Sequence, residues 1–100
     1  MSGYKLSKLA QEDIIRIADY TLETWGEKQT TKYLSQLEQR LESLVENPLL
    51  GKTRDDIKEG YRSYPEGSHI IFYRIKKDFI EIIGIPNQRE DIEHHFDLIS

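Results

Sequence analysis

The segment Glu59-Gly60-Tyr61-Arg62-Ser63-Tyr64-Pro65-Glu66-Gly67-Ser68-His69-Ile70-Ile71-Phe72-Tyr73-Arg74 constrains the fold more than any other part of the chain. It reads as two short strands joined by a tight loop. Pro65 presets one backbone angle of that loop and Gly67 permits a positive one. The flanking residues are aromatic and β-branched, types that fit a pleated, half-buried surface. Arg62, His69 and Arg74 lie inside this apolar setting. Each is therefore either a paired structural group or a contact for a partner.

The rest of the chain supplies layers for that hairpin. Tyr4 to Leu6 reads as a first short strand, and Ser7 as the N-cap of a helix running to Trp25. Ala10, Ile14, Ile17, Ala18, Thr21 and Trp25 recur at helical spacing and form one face, expected to be core. Gly26 stops this helix. A second helix from about Lys28 carries the stripe Leu34, Leu37, Leu41 and Leu44, and Asn47-Pro48 ends it. The short link between the two implies an antiparallel hairpin. A coiled-coil dimer is the alternative for these stripes, but two or three heptads are too few to favour it.

Residues 49–58 read as an irregular, charged crossing. Strands over 61–64, 68–75 and 79–85 follow as a meander. Ile80, Ile82, Ile83 and Ile85 place apolar groups on both faces, as in a central strand covered twice. Gly84 leaves a gap in that strand where a bulge or another backbone approaches. Asn87 and Glu90 have capping-box spacing, so a short helix is expected up to Phe96, with Ile92, Phe96 and Ile99 covering one sheet face. The fold class is α+β: strand, helix, helix, three strands and a short C-terminal helix, in a single domain spanning residues 1–100.

Composition excludes several function classes. A domain of 100 residues buries only roughly 60–65% of its unfolded surface, so further stabilisation by a partner is expected. No run of about 18 apolar residues is present, the N-terminus lacks the apolar core of a signal peptide, and a cytoplasmic location without membrane contact is expected. The absence of cysteine removes disulfides and thiolate zinc sites. A net charge of -4 argues against gross nucleic-acid binding.

No arrangement of residues spells out a catalytic or metal site. Glu90 and His94 are four apart with His95 adjoining, but two ligands do not make a metal site, and a solvated terminal helix is expected there. His69 beside Ser68 has no acid at legible triad spacing. Tyr61, Tyr64, Phe72 and Tyr73 are read as core and rim rather than as a base-stacking platform. The arginines are the better candidates. Arg62 and Arg74, on neighbouring strands, are expected within reach of each other, with Arg89 joining the same region. Two guanidiniums so placed need an acidic partner, or internal neutralisation by Glu59, Glu66 or Glu81.

Taken in order, Tyr4-Lys5-Leu6-Ser7, Ala10, Asp13-Ile14, Tyr20-Thr21, Trp25-Gly26, Gln29, Tyr33, Asn47-Pro48, Gly51-Lys52, Ile57, Gly60 with Arg62, Ser68-His69 and Ile71-Phe72-Tyr73-Arg74 form a pattern covering nearly the whole chain. This pattern resembles the ParE branch of the RelE/ParE superfamily of bacterial type II toxins. The resemblance implies a three- or four-stranded antiparallel sheet with a helical hairpin packed on one side. It departs from the family at Gly84-Ile85-Pro86-Asn87, where the last strand usually ends in arginine, two aliphatic residues and histidine.

The resemblance also implies a function in toxin–antitoxin modules that stabilise plasmids or genomes. ParE-like toxins inhibit DNA gyrase by binding, and a ParD-type antitoxin neutralises them with a segment that folds on the toxin in a homo- or hetero-oligomeric assembly. Nucleic acid would enter only through gyrase or the antitoxin, and no cofactor or metal is implied. Arg62, His69, Arg74 and Arg89 are then the target-binding residues, as charged contacts rather than catalysts. Two alternatives stand beside this reading. One is a RelE-like ribosome-dependent messenger endoribonuclease, with Lys52, Arg54, Arg62 and Arg74 holding phosphate. The other is an inactive relative that only binds antitoxin.

Overall fold

Ser7 shows how local chemistry sets the first layer. In the computed structural model, which describes residues 3–96, strand β1 (Tyr4–Leu6) passes directly into helix α1 (Lys8–Trp25) through this one residue. The Ser7 hydroxyl accepts the Ala10 N–H at 3.0 Å and donates to the Ile83 carbonyl at 2.7 Å. It therefore caps the helix and ties its start to the last strand. Gly26, at φ 89°, is at once the C-cap of α1 and the N-cap of α2 (Glu27–Glu46). A one-residue joint in that region of backbone space suits glycine, and it folds the helices back as the expected hairpin. The remaining elements are β2 (Lys52–Thr53), β3 (Tyr61–Glu66), β4 (His69–Ile75), β5 (Ile80–Gly84) and α3 (Ile92–His95).

The sheet has five strands in the order β1-β5-β4-β3-β2. Pairing is antiparallel except between β1 and β5, which run parallel, so the sheet is mixed where an antiparallel one was expected. The parallel register sets Tyr4 beside Ile80 and Leu6 beside Ile82, and all four pack in the cluster beneath the helices. β2 lies in the crossing read as irregular. Its two residues are exposed and carry no alternating pattern that could reveal a strand. The hairpin loop is Gly67-Ser68, because Glu66 pairs with His69. Pro65 thus sits inside β3 opposite Ile70 rather than in the turn. β2 pairs only with Arg62 and Ser63, so the missing N–H of Pro65 breaks no ladder there.

The hairpin packs on one sheet face. Ala10, Ile17, Leu37, Leu41 and Leu44 meet Ile71, Tyr73, Ile80, Ile82 and Ile85 in one buried cluster. Each such leucine contributes roughly 1.5–3 kcal/mol. The Tyr73 hydroxyl, buried in this layer, donates to the Pro48 carbonyl at 2.7 Å and accepts the Gly51 N–H at 2.8 Å. It anchors the link between α2 and β2.

The far face is covered by the chain itself. Tyr61, Phe72 and Ile83 lie beneath Ile57, Ile92 and Phe96. Ile99, the third residue expected over this face, falls outside the described residues. A bulge occurs as expected: Phe72 pairs with Gly84 and Tyr73 with Ile82, leaving Ile83 extra. Gly84 faces the Phe96 ring so closely that a Cβ would stand 2.5 Å from Phe96 Cε1. Asn87 and Glu90 do bond, N–H to Oε1 at 3.2 Å, but they close a turn; Asp91 caps α3. Among the described residues no helix is long and apolar enough to cross a membrane.

Candidate functional site

Helix α1 outruns the sheet it covers. Its 18 residues span about 27 Å, while its buried residues are Ala10, Asp13 and Ile17. One and two turns later, Thr21 and Trp25 continue the same stripe but are not buried. The overhang leaves a cavity of about 300 Å³ between the hairpin and the β3–β4 turn, walled by Tyr20, Trp25 and Tyr33 and floored by His69 and Asn87. Trp25 is 70% exposed and Tyr20 62% exposed. Trp25 was expected in the core. It is instead the outer wall of this groove.

The floor is polar and fixed. Tyr33 Oη lies 2.7 Å from His69 Nδ1 and donates to the Glu66 carbonyl at 3.1 Å. Tyr33 and His69 thus hold each other in place, and Ser68 Oγ lies 3.4 Å from the same ring nitrogen. Burial pushes the His69 imidazole below its ordinary value; Glu90 and Asp13 pull the other way and Arg16 adds to the lowering. Burial also pushes the Tyr33 phenol up, helped by Glu66, so its proton stays on. A second hollow of about 270 Å³, lined by Arg16, Tyr20, His69 and Glu90, extends the groove along α1.

The register separates the two arginines that were expected side by side. Arg62 pairs with Tyr73, and Arg74 with Tyr61, so the two side chains leave opposite faces of the sheet. Arg62 lies on the helical side and donates to the Gly51 carbonyl at 2.7 Å. Arg74 lies on the far side, paired with Glu81 at 2.8 Å and 6.0 Å above the Tyr61 ring. Glu81 is thus the internal neutraliser of Arg74, whereas Glu66 pairs with Arg40 at 2.8 Å.

Arg89 is exposed in the turn after β5, and its backbone N–H donates to Asn87 Oδ1 at 2.9 Å. Arg54 pairs with Asp56 at 3.1 Å, donates to Ser63 Oγ at 3.3 Å and lies over the Phe72 ring. Lys52 is exposed on β2. His94 is exposed as expected, but His95 is not: its side chain is 7% exposed between two carboxylates. The solvated-helix reading missed this because both acids that hold it are remote or in a turn. Among the described residues no three His, Asp or Glu side chains are arranged to hold a metal ion.

A mixed sheet under a two-helix hairpin, with an open aromatic groove beside the end of α1, defines a small α+β protein. Residues 4–92 match the family model described as ParE toxin of type II toxin-antitoxin system, parDE. The chain is 35% identical over 95 residues to Toxin ParE1 of Mycobacterium tuberculosis (strain ATCC 25618 / H37Rv), covering 94% of this chain and 97% of that protein. It is 33% identical over 95 residues to Toxin ParE1 of Caulobacter vibrioides, covering 95% and 98%. A solved chain from the chromosomal ParDE TA system of P. aeruginosa superposes with a TM-score of 0.74 at 20% identity, covering 87% of this chain and 96% of that one, and so shares the fold. The chain belongs to the ParE toxin family of type II toxin–antitoxin systems.

Proposed function

We propose that this toxin acts by binding, with DNA gyrase as its target, and that a ParD-type antitoxin neutralises it by folding a segment into the groove at the α1 overhang. The observation that carries the antitoxin half is the groove itself: exposed Tyr20 and Trp25 over a fixed polar floor. A helix-in-groove or coupled-folding partner needs apolar walls and a few placed polar groups. The P. aeruginosa relative of this fold belongs to a ParDE system, which supports a partner of that kind. The gyrase half rests on the family resemblance and on the net charge of -4, which suits a protein target better than RNA.

The proposed contacts divide by location. His69 belongs to the groove. Arg74 and Arg89 present charge from the far face and from the turn after β5. Arg62 donates to the Gly51 carbonyl and would have to give up or share that bond to meet a target. The endoribonuclease alternative requires Arg54 and Arg74 to release Asp56 and Glu81 before holding phosphate. Purified toxin should inhibit gyrase supercoiling, the antitoxin should relieve that inhibition, and ribosome-bound messenger should stay intact. Messenger cleavage with untouched supercoiling would replace this reading by the endoribonuclease one.

A further inference from the structure

The chain carries an apolar knob near one edge of its sheet and an apolar hollow near the other. The knob is the turn Pro48-Leu49-Leu50-Gly51, which leads from α2 into β2. Leu49 is 68% exposed and Leu50 40% exposed, and among the described residues no other adjacent pair of large apolar side chains is left so open. Their backbone is fixed. Tyr73 binds the Pro48 carbonyl and the Gly51 N–H, the Leu50 N–H donates to the Asn47 carbonyl at 3.0 Å, and Arg62 donates to the Gly51 carbonyl. A Cβ on Gly51 would stand 2.5 Å from Tyr73 Oη, so the turn is packed from below. Two leucines on a rigid backbone lose little freedom when a partner covers them.

The hollow has a volume of about 220 Å³ and lies beside β1, walled by Tyr4, Leu6, Ile14, Leu34 and Leu41 with Glu38 at its rim. Burial pushes the Tyr4 phenol above its ordinary value, and Glu38 and Glu42 add to that rise, so the rim is acidic. Among the described residues neither of these carboxylates forms an ion pair, and nor does the Arg62 guanidinium beside the knob. Exposed Glu46 and Lys52 flank the knob in sequence and offset each other. Each edge thus pairs an uncovered apolar surface with an unpaired charge, and the two charges are of opposite sign.

β1 and β2 are the outermost strands of a five-stranded sheet, about 19 Å apart, so a chain does not fill its own hollow. We propose that the Leu49-Leu50 knob of one copy seats in the hollow beside β1 of a second copy, with Arg62 of the first facing Glu38 and Glu42 of the second. Such a contact uses different surfaces on the two copies. It is heterologous, and it propagates head to tail as an open array or closes as a ring. A single knob buries far less than a standard interface, so the association is weak and depends on concentration. It uses neither Trp25 nor His69 and does not depend on the function proposed for the groove.

Sedimentation velocity on the intact protein should show the weight-average mass rising with concentration. L49S should weaken this association at least about tenfold. E38K should weaken it as well, and both variants should keep the parent's urea midpoint, since both positions are exposed. The chain has no cysteine, so cross-linking reads the orientation directly. Asn47 is exposed beside the knob and Glu38 at the rim. An oxidised mixture of N47C and E38C should give the product joining position 47 to position 38, and N47C alone should give no dimer. A parent chain that stays monomeric at millimolar concentration would leave the hollow to a different protein and overturn the proposal. An L49S variant that associates like the parent, or a dimer from N47C alone, would overturn it too.

Discussion

Trp25→Ala is the sharpest probe of the groove. A tryptophan buries about 150–250 Å² when fully covered. With 70% of its surface in solvent, roughly 105–175 Å² remains for a partner to cover. At about 25 cal/mol per Å² that is roughly 2.6–4.4 kcal/mol. Ordering the side chain offsets about 0.5–1.5 kcal/mol, leaving a net of roughly 1–4 kcal/mol, or a Kd weakened about 6- to 600-fold. The fold should hardly notice, since an exposed substitution moves stability by about 0.5 kcal/mol or less. Titration calorimetry with the antitoxin's C-terminal segment measures the first quantity, and urea denaturation the second. Trp25 is the only tryptophan, so its emission in the parent protein should also shift to shorter wavelength on binding. An affinity within about threefold of the parent, with the denaturation midpoint unmoved, would show that the groove is not where the segment docks.

Tyr73→Phe should cost about 2–3 kcal/mol, because it removes two hydrogen bonds and orphans the Gly51 N–H; urea denaturation with an unchanged slope checks this, and a cost under about 0.5 kcal/mol would refute the anchoring role. Gly84→Ala should displace the Phe96 ring, at about 1–3 kcal/mol, and erase its ring-current effect on Phe72 while the β4–β5 pairing survives. His69 is held neutral by burial, so its contribution to stability is full above the unfolded value of about 6.5 and is lost as pH falls through the lowered folded value. The stability difference between the parent and His69→Gln should therefore shrink on acidification from about pH 6.5; a difference that grows would reverse the assignment.

The layered fold was legible because its signals are local. Ser7, Gly26 and Asn47-Pro48 each act on the backbone within a turn of themselves, and each ends or starts a helix where the sequence says it should. The double-sided apolar pattern of β5 likewise needs only the strand itself to be read. What failed was whatever depended on pairing. β2 is a strand only because Lys52 and Thr53 meet Ser63 and Arg62. The parallel join of β1 to β5 links the two ends of the described chain, and no turn between them sets its direction.

Side-chain placement failed for the same reason, and most where function is concerned. Arg62 and Arg74 are twelve residues apart, so separation alone suggests neighbouring strands, but the sidedness depends on whether the loop holds two residues or three. With Gly67-Ser68 as the loop, Arg62 faces Tyr73's side and Arg74 the other. One residue more would have reversed one of them. Trp25 misled in the opposite sense: its spacing marks a helix face truthfully, but a period cannot say where the facing sheet stops. An aromatic residue at the last position before a helix-ending glycine, two turns beyond the last buried aliphatic of its stripe, is the signal that was available. Read that way, the stripe of α1 has two parts, one buried on the chain's own sheet up to Ile17 and one left open from Thr21 onward, where the proposed antitoxin segment would dock.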